Sequence, residues 1–438
     1  MNAPTWASHV SSLEVIRGEA LRAVDPRRLV ASALAYEGGI LTAGERRFVL
    51  ARGGTLAVVA LGKAASGMGA AAADILQGAH TRGLIVAQQA PGNLPPRFEF
   101  VRGGHPLSNE GSLEAGRRIA LLARNLSAAD ILLTLISGGG SALVEVLQPP
   151  LALDDLREVQ EVVLHSGADI RAFNLVRAGL SQIKRGGLAR MAEPAQTIGL
   201  ILSDIVANPL ADVASGPTVD QPASADEARA LLTRLSLWEK MPAAVRSVLE
   251  EDPPAREPVR PPPHNLLVGS SATAAEAALE AARLMGFNGD IVSLAVEGEA
   301  ARAGRQIAAL LIEARDLARQ SARPRALIFA GETTVTLRGH GRGGRNQECA
   351  LGAALALAGV EGVALMSLAT DGVDGNSEAA GAIVTGETVA RAQAQGVRID
   401  DALQANDSHA ALHALGACMH IGPTGTNVND LMVGLVYP

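Results

Sequence analysis

Apolar runs of strand length alternate along this chain with longer segments in which apolar residues return every three or four positions. The two periods mark strands and helices respectively, and their regular alternation predicts an α/β protein with a largely parallel, Rossmann-like sheet. Candidate strands are 56–61, 83–87, 131–136, 197–202, 266–268, 291–295, 326–330, 333–337, 363–368 and 431–436. The last-but-two of these, 333–337, alternates β-branched and polar residues and leads through a glycine-rich stretch into an Ala/Leu-rich helix from Asn346.

Most of these runs end in a polar or glycine-rich loop. Gly62-Lys63, Ser137-Gly138-Gly139-Gly140-Ser141, Ser203-Asp204, Gly331-Glu332 and Thr370-Asp371-Gly372 all follow strands. In open α/β sheets ligands bind outside the carboxyl ends of strands, so the recurrence itself predicts a site. Residues 251–263 are rich in proline and charge with nothing apolar enough to bury, and read as an extended linker or exposed crossover. Two lobes follow, 1–250 and 264–438.

The chain has 438 residues, 48% of them hydrophobic, enough for a sizeable core without staples. A net charge of −7 and an aromatic content of 2% argue against nucleic-acid or membrane-surface partners. Cys349 and Cys418 stand alone, which points to a reducing compartment; with no leader-like or membrane-length apolar run, a cytoplasmic location is the expectation. Self-association is left open.

Against this acidic background, residues 331–348 carry five glycines and three arginines between strand and helix patterns. Amides at a helix start, the helix dipole and the forks of Arg342 and Arg345 suit phosphate or carboxylate oxygens. Gly339, Gly341 and Gly344 also match the spacing of a dinucleotide fingerprint, with Asp371 as the ribose acid. Three arginines exceed what a pyrophosphate held by backbone groups requires, so phosphate chemistry is the better reading.

Lys63, at a strand end and helix start, could neutralise phosphoryl charge but is no P-loop lysine. Three glycines between Ser137 and Ser141 favour an anion nest. Asp204 and Asp371 could hold magnesium or accept a hydroxyl proton, and a capping role fits each as well. His105, between Gly104 and Pro106, could orient a ligand. His409 and His413 lie four apart, but no third metal ligand is apparent. Asn427-Val428-Asn429-Asp430 offers amides and a carboxylate before the last strand.

In order, Gly62-Lys63-Ala64-Ala65, Gly104-His105-Pro106, Ser137-Gly138-Gly139-Gly140-Ser141-Ala142, Ser203-Asp204-Ile205, Ser215-Gly216-Pro217-Thr218, Gly331-Glu332-Thr333-Thr334-Val335, Gly343-Gly344-Arg345-Asn346-Gln347-Glu348, the positions Thr370, Asp371, Gly372, Asp374 and Gly375, and Thr424-Gly425-Thr426-Asn427-Val428-Asn429-Asp430-Leu431 resemble the glycerate 2-kinase family. These are the class II glycerate kinases, whose C-terminal part is the MOFRL domain. The resemblance covers nearly the whole chain. It implies a two-lobed α/β protein with a smaller MOFRL-type domain and an active site in the interlobe cleft. It also implies transfer of a phosphoryl group from ATP, with Mg2+, to the 2-hydroxyl of D-glycerate. Lys63 and Arg345 match the pair expected to be catalytic. Ser137, Gly138, Gly139, Gly140, Ser141, His105, Asp204, Glu332, Arg342, Asn346 and Asp430 are the expected substrate or nucleotide contacts, with Asp204 and Asp371 as metal candidates. The alternative is an NAD(P)H-dependent hydroxypyruvate reductase, a label that members of this family also carry.

Overall fold

The computed structural model describes residues 5–168, 170–207, 209–221, 225–251 and 257–438. They form two compact units. One holds residues 26–203 and 209–268, and the other holds the helix Trp6–Ala23, the segment Asp204–Ala207 and residues 269–438.

The first unit begins with an antiparallel meander, β1 (Leu34–Glu37), β2 (Ile40–Ala43) and β3 (Arg46–Val49), turned at Gly38-Gly39 and Gly44. Its main sheet contains β4 (Leu56–Leu61), β5 (Thr81–Ala87), β6 (Phe98–Arg102), β7 (Ile131–Ser137), β8 (Gln196–Leu202) and β9 (His264–Gly269), in the order β6-β5-β4-β7-β8-β9. The pairings of β6 with β5, β5 with β4, β4 with β7 and β7 with β8 are all parallel. Strands β4 and β7 are buried at every position, as expected of central parallel strands covered on both faces. Full burial of each Leu or Ile in β7 contributes about 1.5–3 kcal/mol of transfer free energy.

The chain builds this sheet outward from β4 through β5 to β6, then crosses back to lay β7 on the other side of β4. The reversal makes the carboxyl ends of β4 and β7 a topological switch point, where the loops to either side diverge and leave a crevice.

The second unit has a mixed sheet of β10 (Asn288–Val296), β11 (Arg325–Gly331), β12 (Val363–Ala369), β13 (Gly381–Thr385), β14 (Cys418–Met419) and β15 (Asp430–Val436), ordered β10-β11-β15-β12-β13-β14. The last strand, β15, is inserted antiparallel between β11 and β12. Its first residue, Asp430, therefore pairs with Gly331 at the end of β11 and with Ala369 at the end of β12.

Three sequence expectations change. Residues 333–337 are not a strand, because both edges of β11 are already occupied by β10 and β15. Thr334 instead bonds to Gly298 and Ala300, and Thr336 donates to the Glu299 carboxylate. Strand β9 completes the first sheet, so the boundary between units lies after 268, not at 264. The proline-rich segment is not a free linker where it is described. Val259 is buried, its N–H and that of Arg260 donate to Asp220 and Glu193, and Arg190 holds the Glu257 carbonyl. Residues 252–256 of that segment, and Asn208 in the loop after β8, lie outside the described residues.

Candidate active site

At the switch point of the first unit, the loops after β4 and β7 are joined directly. The Lys63 N–H donates to the Gly138 carbonyl at 2.9 Å, and the Ala64 N–H donates to Ser137 Oγ at 3.0 Å. Gly62 has φ +114°, and a side chain there would lie 2.2 Å from Ser137 Oγ, so the approach of the two loops requires glycine. The Lys63 side chain is exposed, with its stem beside Gly139, as is the ring of half-buried His105. Burial first, then the charges of Lys63 and Arg177, hold the His105 pKa below its usual value. A neutral imidazole among cations is the result.

The Gly139–Ser141 turn opens a short helix, Gly140–Leu143, and has a second wall. Ser141 Oγ lies 2.7 Å from Ser215 Oγ, and Arg177 donates to Ser141 from the helix Ile170–Gly179. Nothing in the sequence marks Arg177, which reads there as one solvated charge of an amphipathic helix.

The second unit gathers its polar groups where Asp430 meets the ends of β11 and β12. Arg345, the first residue of the helix Arg345–Ala356, grips the Asp430 carboxylate bidentately, Nε to Oδ2 at 2.6 Å and Nη2 to Oδ1 at 3.1 Å, and donates from Nη1 to Glu332 at 2.8 Å. Asp430 has no exposed side-chain surface. Desolvation outweighs the help of Arg345 and Asn346 and pushes its pKa up to about 6. Burial works against the Arg345 charge as well, but Asp430 and Glu332 overcome it and hold the guanidinium above its ordinary range.

The Asp204 and Asp371 loops meet the same strand end through Asn429. Its side chain donates to the Asp204 carbonyl at 2.6 Å, and its own carbonyl accepts from the N–H and hydroxyl of Thr370. Among the described residues no group of three or more His, Cys, Asp or Glu side chains could hold a metal ion alone. His420 does join His409 and His413 in a ring cluster, and His409 Nδ1 donates to Gln347 Oε1 at 3.0 Å.

The glycine-rich loop is organised differently from the sequence expectation. The amides of Arg338 and Gly339 donate to Asn406 Oδ1, that of Gly341 to the Ala405 carbonyl, that of Arg342 to Asp407, and that of Gly343 to Asn376. These donors serve the fold and are not presented to an anion. Asn406 completes its own set by donating to Thr336 and to buried Glu348. The glycines permit close packing: a side chain at Gly339 would lie 2.2 Å from the Ala405 carbonyl oxygen, and one at Gly341 2.4 Å from Asp407 Cβ. Gly339→Ala is therefore expected to lower stability by about 1–3 kcal/mol through backbone displacement. A thermal melt tests this; an unchanged melting temperature with lost nucleotide binding would restore the anion-cradle reading.

Arg342 is exposed and paired with Glu378. Asn346 is fully buried, bonded to Asp430 and Ser367, so it supports the Arg345 pair and does not face a ligand. Asp374 takes the amides of Asn346 and Gln347, replacing the cap that Gly344 cannot supply to that helix.

A domain of unknown function, DUF4147, matches residues 12–250, and the MOFRL family matches residues 325–430. A D-glycerate 2-kinase of Thermotoga maritima is 39% identical over 380 residues, covering 86% of this chain and 90% of its own. The crystal structure of a glycerate kinase from Thermotoga maritima superimposes with a TM-score of 0.86 at 35% identity, over 98% of this chain and 99% of that one. An Agrobacterium vitis protein carrying a hydroxypyruvate reductase name is 37% identical over 388 residues, 87% of each chain. With matches of this extent to both of its parts, the chain belongs to the glycerate 2-kinase family.

Proposed function

We propose that this protein transfers the γ-phosphoryl group of ATP to the 2-hydroxyl of D-glycerate, giving 2-phosphoglycerate and ADP. The observation that carries the reading is Lys63, an exposed ammonium fixed by its own backbone at the switch point of a parallel sheet beside a triple-glycine turn. Relatives named as glycerate 2-kinases along most of the chain supply the substrate.

Phosphoryl transfer asks a protein mainly to position charged groups and neutralise charge. The hydroxyl oxygen forms a bond to the γ-phosphorus, the bond to the ADP oxygen breaks, and the hydroxyl proton passes to a base. Lys63 and Arg345 are assigned to charge on the transferring group, with Arg345 aimed by Asp430 and Glu332. Ser137 and Gly138 hold the Lys63 loop in place, while Gly139 leaves room beside His105 and Gly140 packs against Leu61 and Ala214. Asp204 and Asp371 are the carboxylates suited to Mg2+. Their chemistry fits an ion that keeps most of its ligands from water and phosphates, and a dedicated protein cage is not needed. When bound, that ion would neutralise phosphate charge.

The reductase alternative rested on Gly339, Gly341 and Gly344, and the engagement of that loop's amides with Ala405, Asn406 and Asp407 disfavours it. Purified protein should consume D-glycerate only with ATP and a divalent cation, and phosphorus NMR should place the new phosphate on the secondary oxygen. Oxidation of NADH or NADPH by hydroxypyruvate without any ATP-dependent product would overturn the proposal. A 3-phosphoglycerate product would reject its regiochemistry.

A further inference from the structure

Arg177 is the most conspicuous group in the first unit that the mechanism leaves unused. Its side chain is buried, with 4% of the residue exposed, and it stacks over the Phe173 ring at 5.0 Å. Among the described residues its hydrogen-bond partners are uncharged: Nη2 donates to Ser141 Oγ and to Asn174 Oδ1, and Nε has no partner. The nearby carboxylate, Glu145, is already engaged by Lys184 Nζ at 2.6 Å, the Ser181 hydroxyl and the Val146 N–H. Lys184 is the direct partner of Glu145, which reaches Arg177 only through space, so among the described residues no anion is hydrogen-bonded to the buried guanidinium. A full charge taken out of water without a partner is costly, and such a charge is stabilised when an anion arrives.

The two serines carry that charge to the turn. Between Ser141 and Ser215 there are two hydroxyl protons, and a single bond joins the oxygens. Whichever hydroxyl donates in that bond, the other keeps its proton for an outside acceptor. Arg177 donates into Ser141 and polarises the pair further. Ser215 is held at this place by three successive left-handed residues, Ala214 at φ +51°, Ser215 at +62° and Gly216 at +58°, a conformation that costs free energy at the two non-glycine positions. The triple-glycine turn that carries Ser141 faces His105 and Lys63 at Gly139.

We propose that Arg177, Ser141 and Ser215 form an oxyanion-binding relay, in which the buried guanidinium, acting through the serine hydroxyls, holds a carboxylate or phosphate oxygen of a bound substrate at the triple-glycine turn. This deepens the kinase reading and rests on it. Arg177 is a positioning residue here, since Ser141 stands between it and the ligand. The two sources of the oxygen are the glycerate carboxylate and the nucleotide phosphate chain.

Calorimetric titration of the intact protein with D-glycerate, and separately with a non-hydrolysable ATP analogue and Mg2+, tests the relay. Arg177→Met keeps the bulk and removes the charge, and should weaken one of the two ligands by about 10-fold or more. Arg177→Lys should recover part of the loss, which filling a core position alone would not do for Met and Lys differently. Weakened glycerate binding assigns the carboxylate, and weakened analogue binding assigns the phosphates. Should Arg177→Met melt early, the double variant Ser141→Ala/Ser215→Ala, which leaves the cation in place, should weaken the same ligand by several-fold. Wild-type affinity for both ligands in these variants would overturn the relay alone. A wild-type protein that bound neither ligand would overturn the kinase reading and the relay with it.

Discussion

Lys63→Ala is expected to lower kcat by about 10²-fold or more while changing the KM for glycerate far less. The magnitude is that of removing one preorganised electrostatic donor from a site of developing charge. The split between kcat and KM follows because an ammonium directed at the transferring group acts more strongly in the transition state than on the bound substrate. The structure adds a reason to expect little loss of stability. The Lys63 side chain is exposed, and the bonds that hold the β4 and β7 loops together use the backbone amides of Lys63 and Ala64. Alanine preserves those amides. Steady-state kinetics with a thermal melt on the same preparation checks both parts, and near-wild-type turnover in a folded variant would remove Lys63 from the mechanism.

Arg345→Ala should lose both turnover and stability. Its guanidinium is the direct cationic partner of Asp430, whose carboxylate is wholly buried, and removing it leaves that carboxylate uncompensated. Breaking one side of a buried pair costs about 3–5 kcal/mol, of which the partial exposure of Arg345 makes the lower end the better expectation. Arg345→Lys keeps a charge but loses the two-pronged grip, so activity should remain strongly impaired while stability partly returns. The pH dependence separates the two contributions. With a folded pKa of about 6 against about 3.9 in an unfolded chain, the folded state binds more protons between those values, so this group's contribution to stability falls as pH rises from about 4 to about 6. Without Arg345 the Asp430 pKa rises further and the window extends upward. A denaturation series across pH 4 to 8 that is parallel for wild type and Arg345→Ala would mean that the pair is not coupled.

Much of the fold is legible from periodicity alone. The buried strands β4, β7, β8, β11, β12 and β15 are continuous apolar runs, and each was expected within a residue or two of where it lies. The meander β1 to β3, the edge strand β6 and the strands β13 and β14 were not anticipated. They are short or lie toward sheet edges, and their mixed exposure or small residues blur the pattern. Residues 333–337 show the opposite error, because β-type composition does not create a sheet edge to pair with.

The α/β class, the strand-end loops that carry the chemistry, and the ordered motifs that place the chain in its family are all written in the linear chain. Those properties depend on local periodicity, on glycine at close approaches such as Gly62, and on residue types at fixed spacing. What the polar groups do depends on how distant segments pack. The tertiary structure inserted β15 between β11 and β12 and so brought Asp430 to Arg345, 85 positions apart in sequence. It turned the amides of the glycine-rich loop onto Ala405, Asn406 and Asp407. It also buried Arg177 against Ser141, hydrogen-bonded to no carboxylate among the described residues. Each of these depends on which distant segment fills a groove or competes for a hydrogen bond, and packing resolves that competition only once the whole chain has folded.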